Sequence, residues 1–145
     1  MELQDCLRWY VSGPTANSYL LRKEEALTTI ERFRTDFPEN RRYNNLFYLL
    51  KSALDDSETS TLSVDSDLEK WAKKDASYAL FIAECYSLKN AIKQAMDWLE
   101  ISINLGGINY PFLNDYNTLL ENIRGESRFR EMMERVKQEW KEFKI

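Results

Sequence analysis

The sequence predicts an all-α protein, and three observations support that prediction. Its 145 residues include only four glycines and three prolines, too few for the turns that a fold of many short strands needs. Apolar residues recur three and four positions apart along most of the chain, which is the spacing of one helix face. Hydrophobic residues make up 43% of the chain and aromatic residues 13%, enough for a folded core. We therefore expect a single domain, 1–145, of about six or seven helices.

Composition also restricts the classes of function. The chain has no histidine, which removes the commonest general base and the usual zinc ligand. Cys6 and Cys85 are too few for a zinc knuckle or a disulfide framework, so we expect buried or reduced thiols. A net charge of −4 disfavours binding to nucleic-acid phosphates, and no apolar run approaches the ~20 residues of a membrane span. These features predict a cytoplasmic protein with no catalytic residue, metal or cofactor.

The first part of the chain, 1–54, contains three predicted helices. A short one at 3–11 ends before Gly13 and Pro14, which break helices. The second, at 18–37, has Phe37 on its apolar face and is stopped by Pro38. The third covers 41–54, where an unusually wide apolar face indicates contact from two directions.

The middle of the chain begins with an acidic, Ser/Thr-rich stretch at 55–67, which we interpret as an exposed loop. Ser66 and Glu69 have the spacing of a capping box for the helix that follows. The apolar stripe over 68–89 fits one long helix or two short ones, because the polar residues 73–75 interrupt it.

The last part of the chain predicts two further helices. One covers about 91–105 and ends at Gly106-Gly107, since glycine readily takes the left-handed conformation that closes a helix. An aromatic connection at 109–113 and a short turn at 116–123 follow. The final helix begins after Gly125, and its predicted apolar face consists of Phe129, Met132, Met133, Val136, Trp140 and Phe143.

A repeat pattern lies in the second half of the chain. Ala79-x2-Ile82-Ala83-x2-Tyr86, followed by Ala95-x3-Leu99, resembles the tetratricopeptide (TPR) repeat, a helical hairpin of 34 residues. Small residues at 83 and 95 suit the point where two antiparallel helices cross closely, and the larger residues at 86 and 99 fill the space between them. The region 68–107 is therefore the best TPR-like unit, and 1–54 is a degenerate helical repeat region.

The residues after this unit strengthen the resemblance. Asn-Tyr-Pro-Phe-Leu at 109–113 and Arg-Gly-Glu-Ser-Arg-Phe at 124–129 are not generic helix sequence. They resemble the closing repeat at the C-terminal end of many bacterial TPR proteins. The resemblance implies a right-handed superhelix of antiparallel helix pairs, in which 108–145 forms the C-terminal capping region.

The resemblance also implies a function, namely a non-catalytic protein-interaction module that binds a partner protein or peptide in its groove. The residues expected on the inner face of the good unit are Ser77, Leu80, Glu84 and Leu88, with Trp98 as a further lining candidate. Family members that capture a C-terminal carboxylate use Lys and Asn at the places held here by Leu80 and Glu84. An apolar or basic peptide is therefore the expected ligand. Glu84 and Glu100 are interpreted as rim residues.

The first half offers a second candidate surface, because Arg34, Arg41 and Arg42 fall on either side of the break at Pro38. A solvated helix face is the simpler interpretation of such a strip. If the three arginines converge, they suit an acidic partner segment, and the acidic stretch 55–67 of the same chain is one candidate.

Three alternatives stay open on the sequence alone. The chain fits a regulatory or sensory domain at the C-terminal end of a larger bacterial signalling protein, such as a kinase, cyclase or transcription regulator. It also fits a homodimer that associates through uncapped apolar helix faces. An enzyme acting through Asp, Glu and Tyr side chains is the third alternative.

Overall fold

The computed structural model of the protein describes residues 16–55 and 62–143, and their side chains from residue 23 onward. These residues are helical, with no strand among them, as the sequence predicts. The helices are α1 (Ala16–Asp36), α2 (Arg41–Leu54), α3 (Ser66–Ala72), α4 (Ala76–Leu88), α5 (Ile92–Asn104), α6 (Glu121–Arg124) and α7 (Ser127–Glu142). A π-helical turn (Phe112–Tyr116) and a 3-10 turn (Thr118–Leu120) lie between α5 and α6.

The described residues therefore contain more helical elements than the six or seven predicted for the whole chain. The helix predicted at 3–11 lies outside them. No helix in the described ranges has both the length and the apolar character needed to cross a membrane. The chain divides into two compact units, 1–61 and 62–145, and this boundary falls inside the acidic stretch 55–67.

The described part of the first unit is an antiparallel helical hairpin. The Lys51 ammonium at one end of α2 lies 2.7 Å from the Glu31 carboxylate on α1, and Phe33 on α1 packs against Phe47 on α2. At the other end, Asn40 begins α2 because its side-chain oxygen accepts a hydrogen bond from the backbone N–H of Tyr43. We refer below to residues 32–43, which form this other end, as the hairpin end.

Phe33 organises the aromatic residues of the hairpin end. Its ring centroid lies 5.0 Å from that of Phe37, 6.0 Å from Tyr43 and 4.9 Å from Phe47. Phe47 is buried, but Phe37 is 49% exposed and Tyr43 is 37% exposed. The predicted helix at 18–37 ends one residue earlier, at Asp36, so Phe37 is the first residue of the connecting turn and is only partly covered by the apolar face.

The second unit begins with two helices where the sequence allowed one or two. α3 ends at Ala72, and Asp75 starts α4 by accepting hydrogen bonds from the N–H groups of Ser77 and Tyr78. The capping box at Ser66 is not formed. Asp65 starts α3 instead, because its carboxylate accepts hydrogen bonds from the N–H groups of Asp67 and Leu68.

α4 and α5 form the closely packed hairpin that the repeat pattern predicts. Ala79, Ala83 and Ala95 are fully buried, and so is Leu99. Both helices end at a left-handed residue, Asn90 (φ 55°) after α4 and Gly106 (φ 100°) after α5. At the open end of the hairpin, the Ser102 hydroxyl on α5 donates a 2.7 Å hydrogen bond to the carbonyl of Ala76 on α4.

Cys85 lies on α4 and is buried as a free thiol, as predicted. Burial raises its pKa well above the ordinary value for cysteine, so the unreactive thiol form dominates at neutral pH. Cys6 lies outside the described residues.

Gly107 is packed too tightly for a side chain. A Cβ atom at this position would lie 2.7 Å from the Ser102 hydroxyl oxygen and 2.9 Å from the Ser102 carbonyl oxygen. We expect Gly107→Ala to lower the free energy of unfolding by about 1–3 kcal/mol, because it forces Ser102 away from Ala76. Urea denaturation checks this value. Gly125→Ala is the control and should not destabilise, since a Cβ atom there would have nothing within 4 Å; equal destabilisation by both variants would contradict the prediction.

Candidate functional site

The predicted groove residues on α4 occupy different environments. Ser77 is exposed and Leu88 is half-buried, whereas Leu80 is 8% exposed and Glu84 is 5% exposed. The 3-10 turn packs against α4, and Leu80 joins a core cluster with Leu113 and Leu120. This burial corrects the expectation that Leu80 and Glu84 line an open groove.

The two candidate rim carboxylates also differ. Glu84 is not a rim residue, because it is buried and accepts a 3.2 Å hydrogen bond from the side-chain amide of Asn117. Glu100 is partly exposed and pairs with Arg128 at 2.8 Å. Trp98, the other lining candidate, is half-buried and packs on the core cluster of the second unit.

The two unusual sequence elements, 109–113 and 124–129, bind each other through Arg124. Its guanidinium donates to the backbone carbonyls of Leu113 (3.1 Å), Asn114 and Asn117 (2.7 Å). The last carbonyls of a helical turn have no hydrogen-bond partner inside that turn. The carbonyls that Arg124 binds are of this kind, because they lie within the π turn or directly after it. One arginine therefore closes the connection between α5 and α6.

Arg124 is itself held in place by its neighbours. The Glu121 carboxylate accepts a 3.0 Å hydrogen bond from its Nε, and the Phe129 ring lies under the guanidinium at 5.7 Å from centroid to Cζ. Its side chain is only 23% exposed. The spacing of residues 124 and 129 thus has a physical role, because it places a cation over a core aromatic ring.

Arg128 joins α7 to α5. Its two terminal nitrogens each lie 2.8 Å from a carboxylate, one of Asp97 and one of Glu100. Hydrogen bonds from Lys93 and Arg128 lower the pKa of Asp97, so this stabilisation is present above the ordinary carboxyl pKa and is lost as pH falls through the lowered value. All three side chains of the bridge are more than a third exposed, so solvent screening keeps its contribution small.

A second contact shows that α5 and α7 run in the same direction. Arg128, near the start of α7, pairs with residues 97 and 100, whereas Arg135 donates a 3.0 Å hydrogen bond to Asn104, the last residue of α5. The residues of α7 beyond Arg135 therefore extend past the end of α5. At 1.5 Å per residue, this extension measures about 10 Å. We call residues 136–143 the α7 overhang.

The apolar face of α7 becomes exposed along the overhang. Phe129 is 1% exposed and Val136 is fully buried, but Trp140 is 41% exposed and Phe143 is 64% exposed. The prediction that Trp140 and Phe143 share the buried face is therefore wrong. They continue the same helical stripe, but α5 has ended before it could cover them.

Exposed apolar side chains collect at this end of the second unit. Leu105, the residue after α5, is 41% exposed, and the Lys137 ammonium lies 5.9 Å from the centre of the Tyr110 ring. The overhang thus offers large apolar side chains with charged residues beside them. Sequence periodicity missed this surface, since it marks a helix face without showing where the covering helix ends.

The arginines of the first unit lie together at the hairpin end. Arg34 is in the last turn of α1, and Arg41 and Arg42 open α2, so the four-residue turn brings all three to one end. All three side chains are exposed. The three residues share this end of the hairpin, but Arg34 is paired with Glu31 at 3.3 Å on its own helix. The sequence did not foresee the exposed Phe37 and Tyr43 in the same segment.

Within the described residues, no group of three or more Cys, Asp and Glu side chains is placed to hold a metal ion. Comparison of the chain with protein-family models, with curated proteins and with solved structures found no significant match.

Proposed function

We propose that this chain is a non-catalytic protein-interaction module, whose partner docks on the α7 overhang. The observation that carries the proposal is the abrupt rise in exposure along one apolar stripe, from fully buried Val136 to Trp140 and Phe143. Tryptophan is among the residues that most often dominate binding energy in protein interfaces. An exposed Trp at the end of a packed stripe is therefore a suitable anchor.

The architecture of the second unit supports the same proposal. The α4–α5 hairpin is followed by the segment from the π turn to α7, and α5 and α7 run side by side in the same direction. This arrangement suits two successive hairpins of a TPR-like array stacked in one sense. A helix supplied by a partner could lie past the end of α5 and cover the apolar stripe of the overhang.

The chemistry of the overhang indicates the kind of partner. Trp140 and Phe143 provide apolar contact, and each large apolar side chain that is fully buried contributes about 1.5–3 kcal/mol. The flanking charges are mixed, with Lys137 and Lys141 beside Glu139 and Glu142. Such a surface suits the apolar face of an amphipathic helix with charges of both signs at its edges.

Affinity capture with paired variants tests the proposal. We expect Trp140→Ala/Phe143→Ala to lose the bound partner or to weaken its binding about tenfold or more, because two anchors are removed. The control is Glu131→Ala/Glu134→Ala, which changes two exposed residues elsewhere on α7. Both variants should keep the helical circular-dichroism spectrum of the parent. Equal capture by the two variants would contradict the proposal.

The captured partner also separates two versions of this function. If it is a second copy of the chain, sedimentation of the purified protein should show a dimer that dissociates on Trp140→Ala/Phe143→Ala. If it is a different protein, the purified chain should sediment as a monomer at the same concentration. The alternative of a regulatory domain in a larger signalling protein stays an untested prediction. No feature of the described residues favours it over an interaction module.

A further inference from the structure

The hairpin end of the first unit differs in charge from the chain as a whole. Residues 32–43 contain four arginines (Arg32, Arg34, Arg41 and Arg42) and two carboxylates (Asp36 and Glu39), whereas the whole chain has a net charge of −4. The Arg34 guanidinium also lies 3.3 Å from the Glu31 carboxylate, which compensates part of its charge. The four arginines are exposed. A local positive surface on an acidic protein attracts acidic segments of other proteins.

Large aromatic side chains are exposed at the same place. Phe37 and Tyr43 are 49% and 37% exposed, and both rings pack on Phe33. The turn between the helices is tied down, because the Asn44 amide donates a 3.0 Å hydrogen bond to the carbonyl of Phe37 and a 3.4 Å hydrogen bond to that of Pro38. A surface held in this way loses little conformational entropy when a ligand binds.

We propose that the hairpin end binds an acidic peptide segment of a partner protein, with one apolar side chain of that segment against Phe37 and Tyr43. The arginines supply the charge complementarity, since guanidinium groups bind carboxylates through paired hydrogen bonds. The aromatic rings supply the apolar contact. Arginine and tyrosine are both enriched among interface residues with large effects on binding.

A peptide fits this surface better than a nucleic acid does. Asp36 and Glu39 lie among the arginines and would repel a continuous run of phosphates. A peptide can place its carboxylates on the arginines and a neutral residue opposite those two positions. This site lies on a different unit from the α7 overhang, so the inference does not depend on the proposed function.

Titration of the full chain with a fluorescent peptide tests the inference. The probe is a twelve-residue peptide in which Glu alternates with Ser on either side of two central leucines, and a second peptide carries Ser in place of every Glu. We expect the acidic peptide to bind, the Ser peptide not to bind, and the affinity to fall steeply as salt rises to about 300 mM. Arg41→Glu/Arg42→Glu should weaken binding by about tenfold or more.

Further variants separate a specific site from a general response to net charge. Lys70→Glu/Arg130→Glu makes the same change in net charge on exposed residues of the second unit, and it should leave the affinity within about twofold. Arg41→Gln/Arg42→Gln replaces the first variant if charge reversal disturbs the hairpin, and it should still weaken binding. Phe37→Ser should weaken binding of the leucine-containing peptide more than Phe37→Leu does.

Three results would overturn the inference. One is an affinity that is the same for the parent chain and the Arg41/Arg42 variants. Another is equal weakening by the control at positions 70 and 130, which would indicate a response to net charge alone. The third is tighter binding of a single-stranded oligonucleotide than of the acidic peptide, which would show a nucleic-acid surface.

Discussion

Replacing Arg124 with alanine is expected to lower the free energy of unfolding by about 2–4 kcal/mol, because one charged side chain satisfies several partly buried carbonyls. Arg124 donates to the carbonyls of Leu113, Asn114 and Asn117. The substitution leaves those oxygens without this donor and removes the cation over the Phe129 ring. Urea denaturation followed by circular dichroism measures the loss.

Two comparison variants identify the cause of that loss. Arg124→Lys should recover less than half of it, since a single ammonium cannot reproduce the planar arrangement of guanidinium donors. Arg130→Ala removes an exposed arginine from α7 and should change the free energy of unfolding by about 0.5 kcal/mol or less. If Arg124→Lys recovered the whole loss in the free energy of unfolding, positive charge alone would explain the effect. That result would contradict the role of the guanidinium in binding the three carbonyls.

Replacing Phe129 with alanine is expected to destabilise the second unit by about 3–5 kcal/mol, the usual cost of removing a buried aromatic ring. Phe129 is 1% exposed and lies in the core cluster with Leu99, Leu113 and Val136. Removal of the ring would leave a cavity between α7 and the other residues of this core cluster. Thermal and urea unfolding should both report the loss.

Phe143→Ala is the matched control, because it makes the same chemical change on the same helix. Phe143 is 64% exposed, so its loss should change stability by about 0.5 kcal/mol or less. The two phenylalanines thus compare a buried position with an exposed position on one helix. Similar destabilisation by both substitutions would show that the overhang is packed, and would remove the basis of the proposed docking surface.

Local sequence signals predicted much of the secondary structure. The predicted helix at 41–54 coincides with α2, and Gly106 ends α5 in the left-handed conformation as expected. The small residues at 83 and 95 are fully buried in the α4–α5 hairpin. These features depend on helix propensity, breakers and close helix crossing, which are all encoded within a few residues. The start of α3 shows the limit, because Asp65 and Ser66 are both good caps and only the structure chooses between them.

The candidate sites depended on information that periodicity does not contain. Leu80 and Glu84 were expected on an open surface, but the 3-10 turn packs on α4 and Asn117 reaches the Glu84 carboxylate. Trp140 and Phe143 were expected to be buried, but α5 ends before it reaches them. In both cases the exposure of a helix face is set by the length and path of a segment distant in sequence.

The two motifs behind the family resemblance can now be explained in physical terms. Residues 109–113 lead into the π turn, and the element at 124–129 supplies the arginine that binds the carbonyls of that turn. In the same element, Arg128 pairs with Asp97 on α5, and Phe129 packs in the core. The two motifs therefore have a structural role at the start of α7. Their contacts fix the position of this helix, and with it the position of the overhang.

Docking of a partner protein on the α7 overhang can be measured by site-specific photo-crosslinking. A benzophenone amino acid at position 143 replaces one exposed aromatic residue with another and reports what contacts it in the cell that expresses the chain. The same group at position 134, an exposed position elsewhere on α7, is the control. We predict a discrete crosslinked product from position 143 that is absent from position 134 and is lost on Trp140→Ala. No product from position 143, or the same products from both positions, would contradict docking on the overhang.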